Sequence, residues 1–322
     1  MNSIEGFATG PMWAGFIVFV LVMLALDLFV LGGKKAHRVP VKEALAWVIA
    51  WMSLAMVFAG LMWWYLDANL GREIANRKTL EFLAGYLIEQ SLSVDNMFVF
   101  VMIFGFFAVP PELQRRVLLY GVLGAIIMRA GMILGGVWLV TQFSWLLYVF
   151  GAFLVVTGIK MLIFADHKPD LEANPLLRWL RGHLRITPGF HGEAFFVRQN
   201  GVLWATPMFL VLALIEASDV VFAVDSIPAI FAVTTDPFIV FTSNIFAIMG
   251  LRALYFLLAD MADRFHLLKY GLAIVLVFIG IKMLVAPWFH MPIQWSLAIV
   301  ASIISVSVIA SLQLTKKAAS TA

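Results

Sequence analysis

The feature of this sequence that most limits its fold is a series of nine long apolar stretches. They cover residues 11–31, 44–66, 80–108, 116–140, 145–165, 204–232, 238–259, 267–286 and 294–314. A helix needs about 20 apolar residues to cross a bilayer, so each stretch is long enough to span one. Of the 322 residues, 13% are charged, about half the share in a soluble domain. The sequence therefore predicts an all-α polytopic membrane protein with about nine transmembrane helices.

Basic residues are distributed unevenly between the predicted loops. The loops after the first, third, fifth, seventh and ninth stretches carry 14 of them, whereas the opposite set carries only Arg72, Arg77 and Lys78. Loops rich in arginine and lysine stay in the cytoplasm. We therefore predict an external N-terminus and a cytoplasmic C-terminus. Topology accounts for the net charge of +3, so nucleic acid is not an expected partner.

Several classes of chemistry are excluded by residue type. The chain has no cysteine, which rules out disulfides, thiolate metal centres, iron–sulfur clusters and thiol redox chemistry. The sequence also shows no nucleophile–base pair, phosphate-binding loop or cofactor motif. We therefore predict neither an enzyme nor a cofactor.

Two parts of the chain resemble one another. The motif Gly158-Ile-Lys-Met-Leu162 recurs as Gly280-Ile-Lys-Met-Leu284 at an offset of 122 residues, and Phe143-x-x-Leu-x-Tyr148 recurs at the same offset. Each repeat would hold three helices, and because three is odd, the second copy would enter the membrane inverted. Inverted repeats are an architecture of secondary transporters, whose sites lie near the bilayer midplane.

The predicted organisation has five parts. They are two N-terminal transmembrane helices (1–79), the first repeat (80–165), a cytoplasmic loop (166–203), the inverted second repeat (204–286), and the last transmembrane helix with a cytoplasmic tail (287–322). The long loop contains leucines at helical spacing between basic residues, which predicts an amphipathic helix on the inner membrane face. A regulatory or partner-binding loop is the alternative.

Five carboxylates lie inside the two stretches that begin the repeats. A charged carboxylate in hydrocarbon is costly, so it usually faces a cavity and marks an ion pathway. Together with nearby amide and hydroxyl groups these are hard oxygen ligands, which suit Mg²⁺, Ca²⁺ or Mn²⁺ rather than copper or zinc. The candidate metal-binding residues are Glu89, Asp95, Asn96, Glu216, Asp219, Asp225 and Ser226. Five acids exceed the need of one divalent ion, which leaves room for protons and for Arg129 and Arg252 as charge partners.

Helix geometry limits how these acids could share an ion. On a straight helix Glu89 and Asp95 would point about 120° apart, and Glu216 and Asp225 about 180° apart. Either a helix unwinds or a facing helix supplies the remaining ligands. Pro228 cannot bond the carbonyl four residues before it, which predicts unwinding beside Asp225. Asp27, late in the first stretch, is either interfacial or a sixth acid.

With these motifs the sequence resembles the TerC (tellurium resistance) family of integral membrane proteins, in particular its Alx-like branch. The most specific segments are residues 89–96, 216–229, 235–239 and 243–252. The resemblance implies a bacterial inner-membrane protein associated with Mn²⁺ export and with metal and alkaline stress. With the topology predicted from the basic residues, the N-terminus would then be periplasmic. Members of the family are also tied to tellurite resistance and described as redox modulators.

Two interpretations of function remain open. The first is a secondary transporter that exports a divalent cation, with protons as the candidate coupling ion. The residues alone do not separate Mn²⁺ from Ca²⁺ or Mg²⁺, and manganese comes from the resemblance. The alternative is a non-transporting scaffold or sensor that binds a cation structurally and recruits partners through the 166–203 loop. The duplicated acids favour transport.

Overall fold

The chain folds almost entirely into helices. The computed structural model describes residues 7–26, 40–163, 171–259, 267–289 and 291–321. Its helices are α1 (Gly10–Leu26), α2 (Val41–Leu70), α3 (Arg72–Phe106), α4 (Pro111–Gln142), α5 (Leu146–Ile163), α6 (Pro175–His183), α7 (Pro207–Phe231), α8 (Pro237–Ala259), α9 (Leu268–Val285) and α10 (Ile293–Thr321). Asp27 lies outside the described residues. So do five of the 14 basic loop residues counted above, namely Lys34, Lys35, Arg38, Lys168 and Arg264.

Eight of the described helices are long and apolar enough to cross a bilayer, namely α2 to α5 and α7 to α10. Helix α1 is also apolar, but its described part has 17 residues. Large apolar side chains such as Leu61, Ile127 and Val156 are 60–72% exposed, as is appropriate for a surface in contact with lipid. The predicted class, an all-α polytopic membrane protein, is confirmed, whereas the number of nine spans stays a prediction.

Helix starts follow local sequence. Helices α4, α6, α7 and α8 each begin at a proline, which suits the first turn because its missing N–H is not needed there. Helices α2 and α3 are separated by a single residue, Gly71, whose φ is 90°. This backbone conformation favours glycine, and it turns the chain sharply while the Gly71 N–H bonds the Leu66 carbonyl at 3.1 Å.

Helix α8 lies at the centre of the bundle. Nearly all of its side chains are buried, and it packs against α2, α3 and α4. Aromatic rings fill part of this interface, with Phe58 and Phe246 at a centroid distance of 4.9 Å. Although α8 belongs to the predicted second repeat, it is embedded among helices that precede that repeat.

Helices α5 and α9 pack closely through glycines. A Cβ atom on Gly280 would lie 2.6 Å from the Gly151 carbonyl oxygen, and one on Gly158 would lie 2.8 Å from the Ala273 carbonyl oxygen. The predicted offset matches Gly158 with Gly280 and Gly151 with Ala273, so the contact is reciprocal. Such reciprocity is what a two-fold relation between the repeats requires. The repeat relation itself stays a prediction.

The segment between α5 and α7 contains the amphipathic helix expected there, α6. The Asn174 side chain caps it by accepting hydrogen bonds from the N–H groups of Leu176 and Leu177. Leu177 and Leu180 are buried and belong to the main apolar core. Its apolar face therefore packs on the protein, and its predicted position at the inner membrane face stays a prediction.

The same segment also forms a β-hairpin that the sequence analysis missed. Strands β1 (Phe196–Gln199) and β2 (Val202–Ala205) pair antiparallel. The two residues between them, Asn200 and Gly201, have φ values of 52° and 78°, and Asn-Gly is a strong signal for this tight turn. Because the hairpin uses residues 202–205, α7 begins at Pro207 and the predicted start of this span at 204 was early.

Candidate functional site

Arg129 on α4 is fully buried and is the centre of a polar cluster. It donates two hydrogen bonds to Asp219 on α7, at 3.1 Å from Nε and 2.8 Å from Nη2, and a further one to Glu89 on α3. Asn244 on α8 accepts from Arg129 Nη1 at 3.2 Å and donates to Glu89 Oε2 at 3.2 Å. We call these four residues the arginine cluster, and they join four helices.

The arginine cluster changes the charge of the predicted site. The guanidinium contacts Asp219 in the two-pronged geometry that makes arginine–carboxylate pairs strong and specific. Two buried carboxylates are therefore ion-paired with a residue of the chain itself, whose single charge balances one of them. Asn244 was not among the predicted site residues, although it lies inside the 243–252 segment that carries the family resemblance.

Asp95 on α3 and Asp225 on α7 form a second group, which we call the aspartate pair. Both are partly buried, and they lie within electrostatic range of each other. Asp225 interacts with the Thr157 side chain and with the charge of Lys160, both on α5. Asp95 is within range of Lys269 on α9. The pair therefore lies where α3 and α7 meet α5 and α9.

The polar neighbours of the two aspartates are buried more deeply. Asn96 is 4% exposed and Ser226 is 1% exposed. Among the described residues, the Ser226 hydroxyl has no hydrogen-bond partner. A buried hydroxyl without a partner is uncommon and needs an explanation, such as an ion or water.

Glu216 lies apart from the aspartate pair. Its carboxylate touches Gly124 on α4, and its buried Oε2 has no hydrogen-bond partner within the described part of the chain. Nine positions separate it from Asp225, which is about 13 Å along a helix axis. One ion cannot contact both carboxylates. Arg252 is buried and lines the same small cavity as Asp219.

The predicted unwinding of the helices is wrong. Helix α3 is continuous, and α7 is continuous with Pro228 inside it. Pro228 lies one turn before the helix end at Phe231, so the missing hydrogen bond is tolerated there. The hydrogen-bond partners of Glu89 and Asp219 come instead from a facing helix, α4, which carries Arg129. Among the described residues no three histidine, aspartate or glutamate side chains are grouped to hold a metal ion, so the seven predicted ligands do not form one site.

Comparison with known proteins gives consistent matches along the chain. The family described as "Integral membrane protein TerC family" matches residues 74–320. Proteins named "Putative membrane-bound redox modulator Alx" are 57% identical over 304 residues in Escherichia coli (strain K12), covering 94% of each chain, and 56% identical over 309 residues in Salmonella typhi, covering 96% of this chain and 95% of the relative.

A more distant relative comes from Myxococcus xanthus. This "Uncharacterized membrane protein STKORF319" is 49% identical over 312 residues, which are 97% of this chain and 95% of the relative. No solved structure matches. Since the family match covers most of its length, the chain belongs to the TerC family of integral membrane proteins.

Proposed function

We propose that this protein is a secondary transporter of the bacterial inner membrane that exports a divalent cation, Mn²⁺ in preference to others. The observation that carries the proposal is the aspartate pair. Two carboxylates on different helices, at matching positions of the predicted repeats, lie within electrostatic range of each other. Two interacting carboxylates repel each other, and a cation or a proton bound by the pair would relieve this repulsion.

Lys160 and Lys269 can offset the negative charge of the aspartate pair when no cation is bound. Each lysine is within electrostatic range of one aspartate, so their charges offset the carboxylates when no ion is bound. An entering cation would replace these partners. A site whose charge is balanced both with and without cargo can bind and also release it, as transport requires.

The arginine cluster supports the proposal by narrowing the set of ligands. The carboxylates of Glu89 and Asp219 are already occupied by direct hydrogen-bonded ion pairs with Arg129. Lys160 and Lys269, in contrast, act on the aspartate pair through charge. The proposed ligands are therefore Asp95 and Asp225, with Asn96 and Ser226 as neighbouring oxygen donors. Carboxylate, amide and hydroxyl oxygens suit Mn²⁺, and the family resemblance favours manganese in metal and alkaline stress.

The alternative function is a membrane scaffold or sensor that binds a cation without moving it. The folded segment that holds α6 and the hairpin favours this alternative, because transport through the bundle does not require such a structure. The names of the relatives add a redox role. Any such role in this chain would act without thiols of its own, since it has no cysteine.

The test is Mn²⁺ efflux from proteoliposomes with and without a pH gradient, together with manganese accumulation in cells that lack their own exporter. Asp95→Asn and Asp225→Asn remove charge with little change in volume, so we expect each to reduce efflux to background. Asp67→Asn is the matched control, because Asp67 pairs with Arg72 at an exposed position. Absence of efflux by the unmodified protein would favour the scaffold, and active aspartate variants would refute the site.

A further inference from the structure

A cavity of about 280 Å³ lies at the end of the bundle where α7 and α9 finish and α10 begins. Its wall is mostly apolar and includes Leu147, Phe231, Met283 and Ile293. Of the described residues in this wall, Lys282 is the one with a cationic side chain. A lysine ammonium beside an apolar wall is a feature that packing of the helices alone does not require.

Lys282 has only neutral partners among the residues that the structure describes. Its ammonium donates to the Ala232 carbonyl at 3.4 Å and to the Ser296 hydroxyl at 3.2 Å. An ammonium has three donors, so one remains for a further acceptor. The lysine at the matching repeat position, Lys160, has the charge of Asp225 nearby. Within the described part of the chain, the positive charge of Lys282 therefore lacks the anion that its counterpart has.

The position of the cavity relative to the membrane surface indicates the source of such an anion. Trp288, Trp295 and Trp145 around this end of the bundle are 84%, 66% and 59% exposed. Exposed tryptophans at helix ends are typical of the interface between hydrocarbon and lipid headgroups. Lys282 lies one helical turn before the end of α9 at Val285. Its ammonium can therefore reach the level of the lipid phosphates.

We infer that this cavity is a binding site for an anionic phospholipid, whose phosphate contacts Lys282 and whose acyl chain follows the apolar wall. Sites for small ligands have volumes of about 300–1,000 Å³. At about 280 Å³ this one takes a headgroup phosphate and the first part of one chain, while the rest of the lipid stays in the bilayer. The inference does not depend on transport.

The test uses the full-length protein, purified in detergent and stripped of lipid. Phosphatidylglycerol, phosphatidylcholine and inorganic phosphate are added separately, and binding is measured by native mass spectrometry and by the shift in melting temperature. We expect binding and stabilisation by phosphatidylglycerol alone. Equal binding of phosphatidylcholine would overturn the proposal without any variant, and stabilisation by inorganic phosphate alone would identify a site for a free anion instead.

Variants then locate the lipid. Lys282→Gln should weaken phosphatidylglycerol binding about fivefold, because one lysine contributes about 1 kcal/mol to attraction by an anionic headgroup. Lys282→Arg should retain binding, and Ala286→Phe should block it by filling the cavity. Arg72→Gln is the control, because Arg72 is an exposed cation that does not line the cavity, and it should bind as the unmodified protein does. Unchanged binding by Lys282→Gln and Ala286→Phe would place the lipid elsewhere.

Discussion

Replacement of Arg129 by methionine tests whether the arginine cluster is structural. Arg129→Met would leave Glu89 and Asp219 without their charged donor, at positions where these side chains are 0% and 4% exposed. Removing one partner of a buried ion pair costs about 3–5 kcal/mol, because an uncompensated charge remains. With two acids affected, we expect a loss at the upper end of that range.

Neutral substitutions should restore most of that loss. Replacing a buried ion pair by well-packed apolar residues of similar volume is often neutral or stabilising by about 1–4 kcal/mol, and a neutral amide is much less costly to bury than an unpaired carboxylate. The triple variant Arg129→Met, Glu89→Gln, Asp219→Asn should therefore recover most of the stability that Arg129→Met loses. Arg129→Lys should lie between the two, since an ammonium cannot make both parallel bonds to Asp219.

The melting temperature of the purified protein in detergent, followed by tryptophan fluorescence, measures these effects. Arg178→Gln on α6 is the control, because this exposed arginine bonds a backbone carbonyl and its loss should change stability by about 0.5 kcal/mol or less. The triple variant should also retain Mn²⁺ efflux, since the proposed ligands are intact. An Arg129→Met protein as stable as the original, or a triple variant as unstable as the single one, would refute the reasoning.

Three further outcomes are expected. Gly280→Ala should lower the free energy of unfolding by about 1–3 kcal/mol, because the added methyl group would clash with the Gly151 backbone. Gly60→Ala is the control, since the space around Gly60 is open. A melting temperature that falls for Gly280→Ala but not for Gly60→Ala is the expected result. Lys78→Gln should destabilise more than Arg72→Gln, because Lys78 pairs with two acids in a mostly buried position whereas Arg72 is exposed. Reporter fusions at the C-terminus should read cytoplasmic, and an external signal there would contradict the topology.

The spans could be predicted from sequence because hydrophobicity is a local property. Every predicted stretch corresponds to a described helix, with ends that differ by several residues. The error at the start of α7 arose because Trp204 is apolar and was counted with the span, although it belongs to β2. The Asn200-Gly201 turn was a readable signal for the hairpin, and it was overlooked because the surrounding segment was interpreted as a loop.

The division of the acids could not be predicted in the same way. Sequence identifies Glu89 and Asp219 as costly residues inside spans, but their partner depends on which helices face each other. Arg129 is 40 positions from Glu89 and 90 from Asp219, and no local pattern records such contacts. The unwinding expected at Pro228 does not occur because this proline lies in the last turn of α7, where the missing hydrogen bond is tolerated.

The arrangement of the helices also indicates which parts would move in the proposed transport cycle. The arginine cluster joins α3, α4, α7 and α8, whereas α5 and α9 pack against each other through Gly151, Gly158 and Gly280. Each set contains helices from both predicted repeats, so the boundary between the sets does not follow the boundary between the repeats. The aspartate pair lies between the two sets, which is where a relative motion would open and close a cation site.

A disulfide between two of the helices joined by the arginine cluster tests whether α3, α4, α7 and α8 move as one body relative to α5 and α9. A Cβ atom on Gly85 of α3 would lie 3.3 Å from the Ser243 Cβ of α8, near the separation of about 3.5–4.5 Å in disulfides. The chain has no cysteine of its own, so Gly85→Cys with Ser243→Cys introduces a single pair. If α3 and α8 move as one body, the oxidised protein should export Mn²⁺ as fast as the reduced one. Efflux that stops on oxidation and returns with a reductant would mean that α3 and α8 slide past each other, and the moving boundary would then lie between the repeats.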